Sequence, residues 1–257
     1  MSATTYYEQV RGVLDEIHET QGEAIEEAGD LLANTIASGG RVYLFGSGHS
    51  VIPVMDVFPR YGSFIGFFPL YDPRLMWHNV VGPGGARELL WLERREGYVE
   101  NFLQSFAMDR RDAMIVFSHG GLNAAPVEAA LYAKAREMKV VTVSSLANAR
   151  VSTATHSSGK RLSDVADIAL DNCVPLEDAL VDIGYPERIA AGSTMASVFV
   201  AMSLVAETGA RLKAMGIKPH TFVSPNVAGV SKDHNLRVFD AYTGKLFERP
   251  PLKRGNG

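Results

Sequence analysis

Cysteine is almost absent from this chain of 257 residues: Cys173 stands alone. No disulfide can close within the chain, and a zinc site built on cysteines is excluded. Such thin cysteine usage fits a reducing cytoplasm. There is no basic excess either. Lys and Arg number 25 against 29 Asp and Glu, for a net charge of -4. That balance argues against a nucleic-acid or anionic-membrane partner, leaving room only for a local basic pocket. Long apolar runs are missing as well. The longest apolar-leaning stretch, Thr194 to Ala206, carries Ser197 and Ser203 and is too short to cross a bilayer. Met1 to Asp15 has neither a basic start nor an apolar core, so no signal peptide is expected. The expectation is a soluble cytoplasmic protein.

What is present is ample core material, with 46% hydrophobic and 21% charged residues. Residues 5–37 place Val10, Val13, Leu14, Ile17, Ile25, Ala28, Leu31, Leu32 and Ile36 at helical spacing, and Gly39-Gly40 closes the run. So long an apolar face predicts a contact with another subunit; the plainer reading lays the helix across the sheet. Strands are predicted at Arg41–Phe45, Ser63–Pro69, Ala113–Phe117, Val140–Val143 and Ile168–Leu170, with helices over 124–138 and 189–215. Continuous apolar strands alternating with helices predict a doubly wound, five-stranded parallel sheet in one α/β domain. The core is expected over 39–247, with a loosely held tail from Glu248 to Gly257. Residues 71–96 read as an irregular excursion over the site.

In such sheets, ligands bind beyond the carboxyl ends of the strands, where strand order reverses. A flavodoxin-like order would make the first and third strands neighbours there. Their loops are Gly46-Ser47-Gly48-His49-Ser50 and Ser118-His119-Gly120-Gly121-Leu122-Asn123, and Ser144-Ser145 follows the fourth strand. Glycines admit a ligand close to the backbone, and free N–H groups and serine hydroxyls supply donors for an anion. Tight turns alone would also select Gly and Ser. A dinucleotide fingerprint fails because Val51 stands where its third glycine belongs, and neither serine lies in G-x-S-x-G.

These loops resemble those of the sugar isomerase (SIS) family, which includes the phosphoheptose isomerases. A stand-alone bacterial branch of that family is similar over roughly positions 5 to 245. The matching stretches are Leu44–Ser50, Leu92–Tyr98, His156–Leu162, Asp167–Pro175, Ser224–Gly229 and His234-Asn235. The resemblance implies a flavodoxin-like five-stranded sheet in a homodimer or homotetramer with shared active sites. It also implies a phosphorylated sugar substrate, with the anion expected at Gly46, Ser47, Gly48, Ser50, Ser118, Gly120, Gly121, Asn123, Ser144 and Ser145; the serines missing from the second loop admit a sulfonated, carboxylated or uncharged sugar as well. Two departures stand out. The family's Glu-Leu-x-x-Arg appears as Asp56-Val57-Phe58-Pro59-Arg60, and its Ser-x-Ser-Gly-x-Ser keeps only Ser118.

Aldose–ketose isomerisation needs one group to carry a proton between adjacent carbons and another to polarise the carbonyl. Asp56 or Glu177 is expected as the shuttle, with His119 or His49 assisting. Further candidates are Glu93, His156, Lys160 and His234, and His78 beside Trp77 for a sugar face. Structural readings compete with each. Asp56 can pair with Arg60 one turn on, Glu93 and Glu96 can join Arg87, Arg94 and Arg95 in a surface network, and Glu177-Asp178 can flank a helix. His156 and Lys160 can hold the 145–163 loop. No histidine pair has metal-ligand spacing, so neither metal nor other cofactor is expected. A non-catalytic sugar-phosphate sensor and an etherase acting on an amino-sugar phosphate remain the alternatives to an isomerase.

Overall fold

The computed structural model describes residues 2–76 and 85–247. The anticipated contribution of His78 and the anticipated tail from Glu248 lie outside the described residues. Five strands, β1 (Val42–Gly46), β2 (Phe67–Pro69), β3 (Ala113–Phe117), β4 (Lys139–Ser144) and β5 (Ile168–Asp171), form one parallel sheet in the order β2-β1-β3-β4-β5. The order reverses between β1 and β3, where Val42 pairs with Ala113 and Gly46 with Phe117. Both strand ends therefore deliver their loops side by side.

Alternate residues of each strand feed opposite cores, as the two-residue strand period requires. Val42, Leu44, Ile115, Phe117, Val141 and Val143 pack beneath the long helix α1 (Ser2–Ala37) and the helices α2 (Val51–Val57) and α7 (Ser193–Ala214). Tyr43, Phe45, Met114, Val116 and Val140 face α3 (Gly85–Leu92), α4 (Tyr98–Leu103) and α5 (Ala124–Lys134). Helices cover both faces, so the strands need no polar side.

α1 lies along α7 within its own chain, burying Val13, Ile17, Ala28, Leu32, Ala33 and Ile36, while Tyr7 stays exposed. Several expected element bounds are corrected. The second strand shrinks to Phe67–Pro69 because Gly66 takes a φ of +156, and Phe64 instead bridges Thr221 antiparallel. The helix from 124 stops at Lys134, before a turn with Glu137 at a φ of +59. Residues 189–191 are not helical: β7 (Ile189–Ala191) pairs antiparallel with β6 (Ala179–Val181). The helix begins only at Ser193, where Asp178 accepts from the Ser193 amide at 2.7 Å and its hydroxyl at 2.8 Å. A carboxylate there satisfies main-chain donors and opposes the positive helix end.

At 22 residues, α7 is longer than the apolar stretch read from sequence, and by length and composition it could cross a membrane. It is a core helix here, with Ala196, Val200, Ala201, Leu204, Val205 and Leu212 buried. The 71–96 excursion holds α3, and α6 (Leu146–Val151) and α8 (His234–Phe247) complete the helices.

Candidate active site

The backbone of the first loop is forced by contact. A Cβ on Gly46 would lie 2.2 Å from the Ser50 carbonyl oxygen, and Gly48 has a φ of +59. Only glycine fits such a turn without displacing main chain. The turn sends Ser47 across to Glu93, its hydroxyl donating to Oε2 at 2.8 Å. From the other loop, Asn123 donates its side-chain amide to Oε1 of the same carboxylate, also at 2.8 Å. The main chain of Glu93 is fixed too, its carbonyl accepting the Ala125 amide at the start of α5 at 2.9 Å. The two loops therefore meet at one carboxylate.

Glu93 is only 6% exposed, and among the described residues no arginine forms an ion pair with it. The surface network anticipated for this residue is replaced by a buried carboxylate, because the residue that follows α3 turns inward. Burial pushes the carboxyl above its ordinary value of 4.5, while the Ser47 hydroxyl and the charge of Arg94 pull it down. A carboxylate with a raised pKa at the mouth of two polar loops is suited to taking and returning a proton.

The second loop offers donors. The amides of Gly120, Leu122 and Asn123 have no acceptor among the described residues, whereas that of Gly121 donates to Ser118 Oγ at 3.2 Å. The tautomer of His119 follows from its neighbours. Asn172 Oδ1 accepts the Val174 amide at 3.1 Å, so its Nδ2 is the donor 3.2 Å from His119 Nδ1. Nδ1 then accepts, and the ring proton sits on Nε2. That Nε2 is buried with no partner among the described residues, as is Ser144 Oγ. Ser145 is fully occupied: its hydroxyl donates to the Val174 carbonyl at 2.7 Å and accepts the Asn148 amide at 3.2 Å.

Asp56 forms an ion pair with Arg60 one turn on, beside a cleft of about 480 Å³ walled by Pro59, Tyr61, Phe222, Asn235 and Phe239. Neither glycine-rich loop contributes to that wall among the described residues. Glu177 is exposed ahead of β6 and accepts the Arg188 amide at 3.3 Å. His49 and Lys160 are exposed, and Ser50 donates its amide to Ser47. His234 at the start of α8 lies 2.8 Å from the Thr221 carbonyl. His156 sits 3.8 Å from both Glu96 and Glu128, pinning the loop that covers residues 120–122. Burial pushes the Cys173 thiol up to about 11, which leaves it an uncharged thiol near neutrality. Among the described residues no cluster of His, Cys, Asp or Glu is arranged to hold a metal.

Residues 5–145 match the model of the SIS domain. The chain belongs to the SIS-domain family. This SIS protein is 33% identical to a UPF0309 protein of Halalkalibacterium halodurans over 94% of its own length and 98% of the relative's. It is 34% identical to a UPF0309 protein of Streptomyces coelicolor, over 92% and 93% of the two chains. Among solved structures, its fold is similar to the phosphoheptose isomerase of Neisseria gonorrhoeae, with a TM-score of 0.53 at 12% identity over 81% of this chain and 97% of that one. The phosphoheptose isomerase of Francisella tularensis gives 0.51 at 16% identity, over 80% and 95%. At such identities the likeness shows the SIS fold, and the site chemistry rests on this chain's own residues.

Sequence reading named Glu93 only as a secondary candidate. Two arginines follow it directly, and nothing in that local pattern reveals a carboxylate turned inward. Its partners lie 46 and 30 residues away, at Ser47 and Asn123.

Proposed function

We propose that this SIS protein is an aldose–ketose isomerase for an anionic sugar, phosphorylated or sulfonated. The observation that carries the reading is the buried Glu93 carboxylate bridging Ser47 and Asn123, next to a loop with unpaired amides. In this reading the amides of Gly120, Leu122 and Asn123 hold the anionic group by its oxygens. Glu93 removes the proton from C2 of the open-chain aldose; the electrons of that bond form the C1–C2 double bond while those of the C1 carbonyl move onto O1, giving an enediolate. The proton of the C2 hydroxyl passes to O1 as the C2–O bond becomes the ketone, and the carboxylic acid returns its proton to C1, so that O1 ends as the C1 hydroxyl. A donor such as His119 Nε2–H stabilises the oxygen on which charge develops.

This assignment moves the shuttle from Asp56 or Glu177 to Glu93. Asp56 is paired with Arg60, and Glu177 is open to solvent, whereas Glu93 is enclosed between the two loops. A homodimer is part of the same proposal. Leu176, Ile183, Tyr185 and Ile189 leave an apolar surface exposed around the β6–β7 hairpin, suited to a second copy, which would place Glu177 at the contact.

The test incubates the protein with phosphorylated and sulfonated aldoses in deuterated water. Deuterium at C2 with formation of ketose supports the isomerase. Binding without exchange replaces it with a sensor, and release of a lactyl group from a muramic acid phosphate replaces it with an etherase.

A further inference from the structure

We propose that the segment from Leu146 to Leu162 is the positioning strap of the anion loop, and that Thr155 and Asn148 are the side chains through which it sets anion affinity. This rests on the reading above that residues 120–123 hold the anionic group. Three consecutive carbonyls of that loop are held by this one segment. Gly120 O accepts Asn148 Nδ2 at 3.0 Å, Gly121 O accepts the Leu162 amide at 2.8 Å, and Leu122 O accepts Thr155 Oγ1 at 2.7 Å.

A trans peptide is planar, with its C=O and the following N–H pointing in opposite directions. Tying back each carbonyl therefore aims the next residue's N–H away from the strap. The three N–H groups so aimed belong to Gly121, Leu122 and Asn123. Ser118 takes the first, and the other two have no acceptor among the described residues. Amides oriented before a ligand arrives cost nothing to reorganise when it binds. The strap thus acts on the anion without touching it.

The strap is itself held at both of these side chains. Asn148 Oδ1 accepts the Ser152 hydroxyl at 2.8 Å, which leaves Nδ2 for Gly120. Directly after Thr155, His156 is buried with only 8% of its side chain exposed, between Glu96 and Glu128. Ser157 donates its amide to Glu96 at 2.7 Å and its hydroxyl to the other oxygen of that carboxylate. Glu96 lies three residues beyond Glu93, and Glu128 lies on α5 just after Asn123. One segment therefore joins the anion loop, the turn that carries Glu93 and the helix that follows the loop.

The experiment titrates the full-length protein with inorganic phosphate, following binding heat and the backbone amide resonances of residues 118–123. In the native protein the Leu122 and Asn123 amides are expected to shift. Thr155→Val keeps the shape but removes the donor, and weakens phosphate by about 3- to 10-fold, the worth of one hydrogen bond. Asn148→Ala weakens it to a similar degree, while Thr155→Ser, which restores the hydroxyl, stays within about 2-fold of the native protein. Native affinity in both Thr155→Val and Asn148→Ala, with the amide shifts unchanged, overturns the strap and leaves the anion loop standing. Weakening by Thr155→Ser equal to that by Thr155→Val also overturns it, since packing and not the bond would then matter. If no amide in 118–123 moves in the native protein, the anion loop itself is wrong and the strap falls with it.

Discussion

Asn123 donates its side-chain amide to the carboxylate of Glu93 at 2.8 Å, joining the last residue of one strand-to-helix loop to a carboxylate 30 residues earlier in the chain. That residue would ordinarily cap α5, but its side chain makes no bond to the helix and is given instead to the carboxylate. A side chain diverted from capping to hold a buried acid sets the pair at the centre of the proposed site.

Glu93→Gln is expected to lower turnover by about 10²- to 10⁴-fold, the usual worth of a general base. The fold should survive. The amide oxygen can still accept from Asn123, and the Ser47 hydroxyl can rotate to accept from the new NH₂. Steady-state kinetics beside thermal denaturation reads both, and a turnover loss that merely tracks a lower melting temperature would remove Glu93 from the mechanism.

The pH–rate profile should show an acid limb above the ordinary carboxylate value of 4.5, since burial raises Glu93 and the base works only when ionised. Activity then rises with pH through that limb. Asn123→Asp places a second carboxylate beside the first, and two such groups cannot both ionise freely. The limb should move to still higher pH in that variant; an unmoved limb would assign it to another group.

Gly46→Ala tests the first loop. Its new Cβ would meet the Ser50 carbonyl at 2.2 Å, a main-chain atom that cannot swing aside. Destabilisation of about 1–3 kcal/mol is expected from the forced backbone shift, measured by urea unfolding. Gly12→Ala, on the open face of α1 with no atom within 4 Å of the added carbon, is the control and should leave stability unchanged or slightly raised.

Acid should loosen the strap before it unfolds the sheet. The hydroxyl and amide of Ser157 hold the Glu96 carboxyl below its ordinary value. A depressed carboxylate contributes stability that is present above its unfolded value of 4.5 and lost as pH falls through the lower folded value. Hydrogen exchange at residues 152–160 is expected to quicken as pH falls below 4.5 and through the lower folded value, while β3 and β4 stay protected. Equal protection of both regions across that range would show that Glu96 does not hold the segment.

Much of the architecture was legible in the chain itself. The runs at 42–46, 113–117 and 140–143 are buried on both faces, and such strands have few arrangements other than a parallel sheet between helices. Their polar loops had to fall at one end of that sheet. The edges were harder to read. Gly66 and Glu137 end elements through positive φ values, which residue type announces for a glycine but not for a glutamate.

The sequence by itself determined the class of fold and which loops would meet, because strand hydrophobicity and glycine placement are local properties of the chain. Only the tertiary structure decided which carboxylate lies between them. Asp56, Glu93, Glu96 and Glu177 look alike in a string of letters. Their surroundings separate them: an arginine pairs with Asp56, Ser157 holds Glu96 below its ordinary value, Glu177 stands open to solvent, and burial between Ser47 and Asn123 raises Glu93 above its own. Basicity is set by what surrounds an acid, and here the deciding neighbours come from segments distant in the chain.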